Sequence, residues 1–138
     1  MAALVGPRGT GKTQMAVTIA KDYCRRGEQP LYCKAMDLFM AVKETFGGDG
    51  VTEQQVLSKY VTPSLLIIDE SQERSESGWE NRVLTYLIDR RYDKRVSTLF
   101  ISNLVSAEFE QSVGASIYSR LRETGGIVEC NWENFRSG

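Results

Sequence analysis

Short unbroken apolar runs alternate along this chain with longer stretches whose apolar residues recur at helical spacing. Ala2-Ala3-Leu4-Val5 is short enough for a buried parallel strand, and Met15, Ala16, Ile19, Ala20 and Tyr23 then mark one face of a helix. Arg25-Arg26-Gly27 ends that helix, with basic residues against its dipole and a glycine terminator. Leu31 to Ala35 predicts a second strand and Met36 to Phe46 a packed helix. Gly47-Gly48-Asp49-Gly50 breaks that helix, and Thr52 with Gln55 forms a capping box opening another that carries Val56, Leu57 and Tyr60. Residues 36–61 therefore read as a two-helix insertion between strands. Leu65-Leu66-Ile67-Ile68, after Pro63, is the run expected of a strand buried on both faces, and it predicts the centre of the sheet. Ser77 can cap a helix whose stripe is Val83, Leu84, Leu87, Ile88 and Tyr92. A strand at Val96 to Ile101, a short helix near Ala107 to Val113 and a last strand at Ile127 to Cys130 complete the pattern. This alternation predicts one α/β domain over residues 1–138, built on a five-stranded parallel sheet with its ligand at the carboxyl ends of the strands.

Between the first strand and the first helix lies Gly6-Pro7-Arg8-Gly9-Thr10-Gly11-Lys12-Thr13, a complete phosphate-binding loop in its required strand-to-helix context. Its glycines let consecutive N–H groups turn toward phosphate oxygens, and the positive end of the following helix adds a fixed field. A nucleoside triphosphate is the expected ligand, with Lys12 reaching the β and γ phosphates and the Thr13 hydroxyl on Mg²⁺. The third strand ends in Asp69-Glu70, at the sheet edge where the loop also opens. Asp69 is placed to hold the Mg²⁺ hydration shell and Glu70 to polarise an attacking water as general base. The fourth strand ends in Ser102-Asn103, an amide at the same edge that can orient that water, although asparagine is also ordinary turn chemistry.

Composition narrows the chemistry. With 17 basic and 18 acidic residues there is no global positive field for nucleic acid, so any such contact must come from a local patch. The absence of histidine leaves carboxylates, lysine, arginine and a metal ion to carry catalysis. Cys24, Cys33 and Cys130 lack metal-ligand spacing and are expected as buried, reduced thiols. No run of about 18 apolar residues occurs, and a soluble cytoplasmic protein without a membrane partner is expected.

Taken together, the loop, the Asp-Glu strand end and the Ser-Asn strand end resemble an AAA+ ATPase, a P-loop NTPase with a three-layer sandwich. The details resemble the DnaC helicase-loader and IstB family over nearly the whole chain: Leu65 to Glu70, Ile88-Asp89-Arg90-Arg91-Tyr92, Ser102-Asn103-Leu104, Ser119-Arg120-Leu121-Arg122-Glu123 and Asn131-Trp132-Glu133-Asn134-Phe135-Arg136. The resemblance implies ATP/ADP and Mg²⁺ as cofactors. It makes Asp69 and Glu70 the metal and water-activating acids, Asn103 the first sensor and Arg120 an arginine finger acting on a neighbouring subunit's nucleotide. Arg136 falls at a late position that can serve as a second sensor. Members of this family carry a substantial segment ahead of the loop, which in loaders binds the replicative helicase and helps close the adenine pocket. This sequence enters the loop almost at once, so it is expected to be the ATPase core alone, slow or inactive as an isolated monomer.

Single-stranded DNA is the other ligand the resemblance implies. Lys43, Thr45 and Phe46 in the insertion combine a cation, a hydroxyl and an aromatic, the parts a single-strand groove uses, while a packed Phe46 beside a solvated Lys43 is the competing reading. Trp79 and Trp132 read as core or interface aromatics. The leading expectation is the ATPase core of a DnaC-like helicase loader that assembles into a ring or filament. An IstB-type transposition ATPase, a small-molecule phosphotransferase and a nucleotide-gated binding module with negligible turnover are the alternatives. Water as phosphoryl acceptor, favoured by the Asp-Glu and Ser-Asn pairs, argues against the phosphotransferase.

Overall fold

The computed structural model describes residues 1–48, 50–73 and 78–132. Five strands, β1 (Ala2–Val5), β2 (Pro30–Lys34), β3 (Leu65–Asp69), β4 (Ser97–Ser102) and β5 (Ile127–Glu129), pair in parallel in the order β2-β3-β4-β1-β5. The middle place belongs to β4 and not to β3. All five residues of β3 are nonetheless buried, because β2 and β4 flank it and helices cover both faces.

Strand alternation sends side chains to two cores. Leu4, Leu65, Ile67, Leu99 and Ile101 meet Ala16 of α1 (Lys12–Arg25) on one face. On the other, Ala3, Val5, Leu66, Ile68 and Phe100 pack under α2 (Ala35–Lys43), α3 (Glu53–Val61), α4 (Gly78–Asp93), α5 (Ser106–Val113) and α6 (Ala115–Thr124). The result is a three-layer α/β sandwich.

The insertion is α2, a 3-10 turn at Glu44–Gly47 and α3, so the long helix expected to Phe46 tightens at Glu44. Thr52 and Gln55 make both hydrogen bonds of the capping box. The expected cap at Ser77 lies outside the described residues. Helix α6 was not expected as a separate element, although Ile117 and Leu121 bury themselves one turn apart on it. Of the apolar face expected on α1, Ile19 is exposed, and of the three cysteines Cys24 is exposed while Cys33 and Cys130 are buried.

Arg91 places a charge in the core. Fully buried on α4, it donates from Nε to Thr98 Oγ1 (2.8 Å), from Nη1 to the carbonyls of Tyr60 (2.8 Å) and Val61 (3.0 Å), and from Nη2 to that of Ser97 (2.6 Å). These neutral acceptors use its fork of donors and tie the ends of α3 and α4 to the start of β4. Burial pulls its guanidinium down to about 10. No helix among the described residues is long and apolar enough to cross a membrane.

Candidate functional site

Because β4 stands between β1 and β3, the turn after β1 and the acids closing β3 flank the carboxyl end of β4. A cavity of about 370 Å³ opens there, lined by Arg8, Gly9, Gly11, Lys12, Thr13, Gln14, Asp69, Glu70, Ile101 and Asn103. Three separate stretches of sequence thus meet at one crevice, the place where open parallel sheets hold ligands.

Local geometry explains why the loop has this shape. Gly11 caps α1 in the left-handed region, at φ 83°, where a side chain would be strained. Gly6 runs against the backbone of the segment after β5, and a Cβ there would collide with the carbonyl of Cys130. That segment is tied down by the Cys130 N–H donating to the Val5 carbonyl at 2.7 Å. Lys12 is buried, and its ammonium donates to the carbonyls of Gly6 (2.8 Å) and Pro7 (2.6 Å) and to Thr10 Oγ1 (3.3 Å), from inside the turn. Burial lowers its pKa, Arg8 adds to that, and Cys130 and Asp69 oppose it. Arg8 stands exposed at the rim, 3.7 Å from Glu73 in a pair that contributes little.

The acids are held by donors from several elements. Asp69 Oδ2 accepts from Thr13 Oγ1 at 3.2 Å and from the Tyr32 hydroxyl, while Oδ1 accepts the Glu70 N–H at 2.7 Å. Burial first, and then the bond to Asp69, push the Tyr32 phenol well above its ordinary pKa. Glu70 takes the left-handed region at φ 51°, which is uncommon for a side-chain-bearing residue and recurs at functional sites. Its carboxylate lies 4.0 Å from Lys34 Nζ, and its carbonyl accepts the Glu73 N–H at 2.9 Å. The turn that follows is clamped to β4: the N–H and hydroxyl of Ser71 both donate to the Ile101 carbonyl at 3.1 Å, and the Asn103 N–H donates to Gln72 Oε1 at 3.3 Å.

A hydroxyl and a carboxylate beside a phosphate cradle suit Mg²⁺, which keeps several waters and needs no cage of protein ligands. No cluster of three or more Cys, Asp or Glu side chains that could hold a metal occurs among the described residues.

The other expected site residues lie elsewhere. Arg120 on α6 pairs with Asp89 of α4 and stacks over the Tyr92 ring at 4.7 Å, outside the cavity of its own chain. Lys43 is exposed at the end of α2. Thr45 donates its hydroxyl back to the Val42 carbonyl at 2.6 Å, so that proton is engaged within the insertion. Phe46 is 60% exposed, with its ring edge-on to Trp79 at 5.5 Å. Arg136 lies outside the described residues. Tyr32, Lys34 and Gln72 were not foreseen. The signal for the first two was the alternation of β2, which sets Tyr32 and Lys34 on one side of buried Cys33, next to the strand that carries the acids.

The pattern of the IstB-like ATP binding proteins matches residues 2–137. The chain belongs to that family. Among its relatives is the replicative helicase loader DnaC of Escherichia coli K12, 31% identical over 133 residues that cover 96% of this chain and 54% of the relative. The chain thus spans about half the length of the curated relatives it matches. In fold it is similar to a crystal structure of the DnaC helicase loader (TM-score 0.80, 23% identity, covering 93% of this chain and 76% of that one). It is also similar to AMPPCP-bound DnaA from Aquifex aeolicus (TM-score 0.79, 23% identity, covering 93% and 39%). These likenesses agree with the AAA+ type P-loop fold expected from the motifs.

Proposed function

We propose that this chain is the ATP-binding and hydrolysing core of a DnaC-like replicative helicase loader, acting with single-stranded DNA in DNA replication. The observation that supports it is the convergence of the glycine loop, Asp69, Glu70 and Asn103 on one cavity at the carboxyl edge of the sheet.

In this reading the loop from Gly6 to Thr13, through the N–H groups that follow Pro7, and the Lys12 ammonium hold the phosphates of ATP. Thr13 and Asp69 hold Mg²⁺, which when bound neutralises charge developing on the transferred phosphoryl group. Glu70 takes the proton of the attacking water, and Asn103 orients that water. Arg120 completes the site of a neighbouring subunit, so turnover requires self-association into a ring or filament. Lys43, Thr45 and Phe46 contact single-stranded DNA, and Arg136 serves as second sensor. The replicative helicase is the protein partner, by analogy with the relative named a replicative helicase loader.

An IstB-type transposition ATPase is the second reading, favoured by the family match over residues 2–137. Phosphate release measured with and without single-stranded DNA, across protein concentration, tests the shared core. The expected result is a rate per subunit that rises with concentration and with DNA, and that Lys12→Ala abolishes. A rate indifferent to Lys12→Ala overturns the site. Co-purification with a replicative helicase, as against a transposase, separates the two readings.

A further inference from the structure

We propose that Tyr32 is a positioning residue of this site, whose hydroxyl fixes Asp69 in the orientation that serves Mg²⁺. The inference rests on the nucleotide reading above. In the parallel register of β2 and β3, Tyr32 stands opposite Ile67 and Lys34 opposite Asp69. The tyrosine therefore reaches two residues along the neighbouring strand to place its hydroxyl on Asp69 Oδ2.

That oxygen also accepts the Thr13 hydroxyl at 3.2 Å, while Oδ1 accepts the Glu70 N–H at 2.7 Å. An ionised carboxylate offers about four acceptor sites, so three donors from β2, α1 and the turn after β3 leave it one free direction and little freedom to rotate. Thr13 and Glu70 belong to the nucleotide machinery. Tyr32 stands outside it, on an edge strand. The bond from Tyr32, which is 41% exposed on an edge strand, replaces one that the phenol makes to water in the unfolded chain. Its effect falls on the carboxylate. The neighbouring Lys34 to Glu70 pair, at 4.0 Å between half-exposed groups, is too loose to do the same for the second acid.

The test is the Mg²⁺ requirement for nucleotide binding. A fluorescent ATP analogue is titrated into the whole chain over a series of Mg²⁺ concentrations and in EDTA, for wild type, Tyr32→Phe and Tyr32→Ala. Removing a partner that orients a metal-holding carboxylate costs about 10- to 100-fold in metal affinity, and with two other donors retained the lower end, about tenfold, is expected for the Mg²⁺ midpoint. Affinity in EDTA should match wild type, so that the loss is confined to the Mg²⁺-dependent part of binding. An unchanged Mg²⁺ midpoint in Tyr32→Phe overturns the proposal, and so does an equal loss with and without metal, which would make the contact merely structural. A wild type that binds nucleotide without regard to Mg²⁺ overturns it while leaving the phosphate loop standing. Failure of wild type to bind nucleotide at all overturns the functional reading as well.

Discussion

Trp132 donates its indole Nε1–H to the Thr10 carbonyl at 2.9 Å, so the segment that follows the last strand holds the phosphate loop from outside. Thr10 is itself buried and donates its hydroxyl to the Pro7 carbonyl at 3.0 Å, which stiffens the same turn. Trp132→Phe keeps an aromatic ring and loses the donor. One such hydrogen bond contributes about 0.5–1.5 kcal/mol, so nucleotide affinity should fall by roughly two- to tenfold. Titration of a fluorescent ATP analogue checks this, and wild-type affinity in both Trp132→Phe and Trp132→Ala would show that the segment does not support the loop.

Arg91 is expected to be the most sensitive polar position in the core. Arg91→Met fills similar volume but strands the carbonyls of Tyr60, Val61 and Ser97 and the Thr98 hydroxyl without donors. A buried polar group left unsatisfied costs about 1–3 kcal/mol, and part of this is offset by no longer burying a charge, so a net loss of about 2–4 kcal/mol is predicted. Chemical denaturation measures it. A stability equal to wild type would mean that water replaces the guanidinium.

These two residues also mark where sequence legibility stopped. The strands, the loop and both acids could be read because each is a local signal: an apolar run, a glycine spacing, a carboxylate at a strand end. The box at Thr52 was equally legible, since both of its hydrogen bonds close within four residues. Arg91 carries a charge at a helical position and reads as solvated until the ends of α3 and β4 are brought around it. Tyr32 and Trp132 act across 37 and 122 residues of chain, through a register and a chain path that no local pattern contains. Ile19 shows the opposite failure. Its spacing is right for the core of α1, yet it lines a shallow apolar recess with Thr10, Gln14, Met15 and Thr18. Placing β3 at the sheet centre failed because burial on both faces is shared by every interior strand.

Glu70→Gln should bind ATP as wild type does and hydrolyse it far more slowly, because the amide keeps the shape and loses the base. General-base catalysis contributes about 10²- to 10⁴-fold, which sets the expected loss in turnover. The same change removes the charge facing Lys34, a contact too long and too exposed to affect folding. Single-turnover phosphate release is the measurement. Normal turnover in Glu70→Gln would reduce this residue to a strand-end charge.

Single-stranded DNA binding should respond unequally to the three insertion residues. Phe46→Ala removes an exposed ring already braced edge-on against Trp79, and base stacking of that kind is worth about 1–3 kcal/mol. Lys43→Ala should weaken binding with a smaller salt slope, because a phosphate contact releases counterions. Thr45→Ala should matter least, since its proton is spent on Val42. Fluorescence anisotropy at two salt concentrations reads all three, and unchanged DNA affinity in both Lys43→Ala and Phe46→Ala would falsify the surface.

In the proposed assembly Arg120 serves another chain's nucleotide, because on its own chain it lies against Asp89 and Tyr92 and outside the cavity. The pairing with Asp89 on α4 holds the guanidinium in one place, and in the proposed assembly that restraint leaves it less side-chain entropy to lose on meeting a neighbour's nucleotide. Transition-state charge on the γ oxygens calls for such fixed donors, and removal of a finger supplied in trans costs about 10³ to 10⁵ in rate. Arg120→Ala should therefore abolish turnover and leave ATP binding intact. Mixing it with Lys12→Ala should restore part of the activity, because a Lys12→Ala subunit still lends Arg120 to the intact loop of its Arg120→Ala neighbour. Asp89→Asn should lower turnover less than Arg120→Ala, since it loosens the support and keeps the cation. Should the rate per subunit stay flat on dilution and the mixture show no rescue, Arg120 is a structural link between α4 and α6, and each domain works alone.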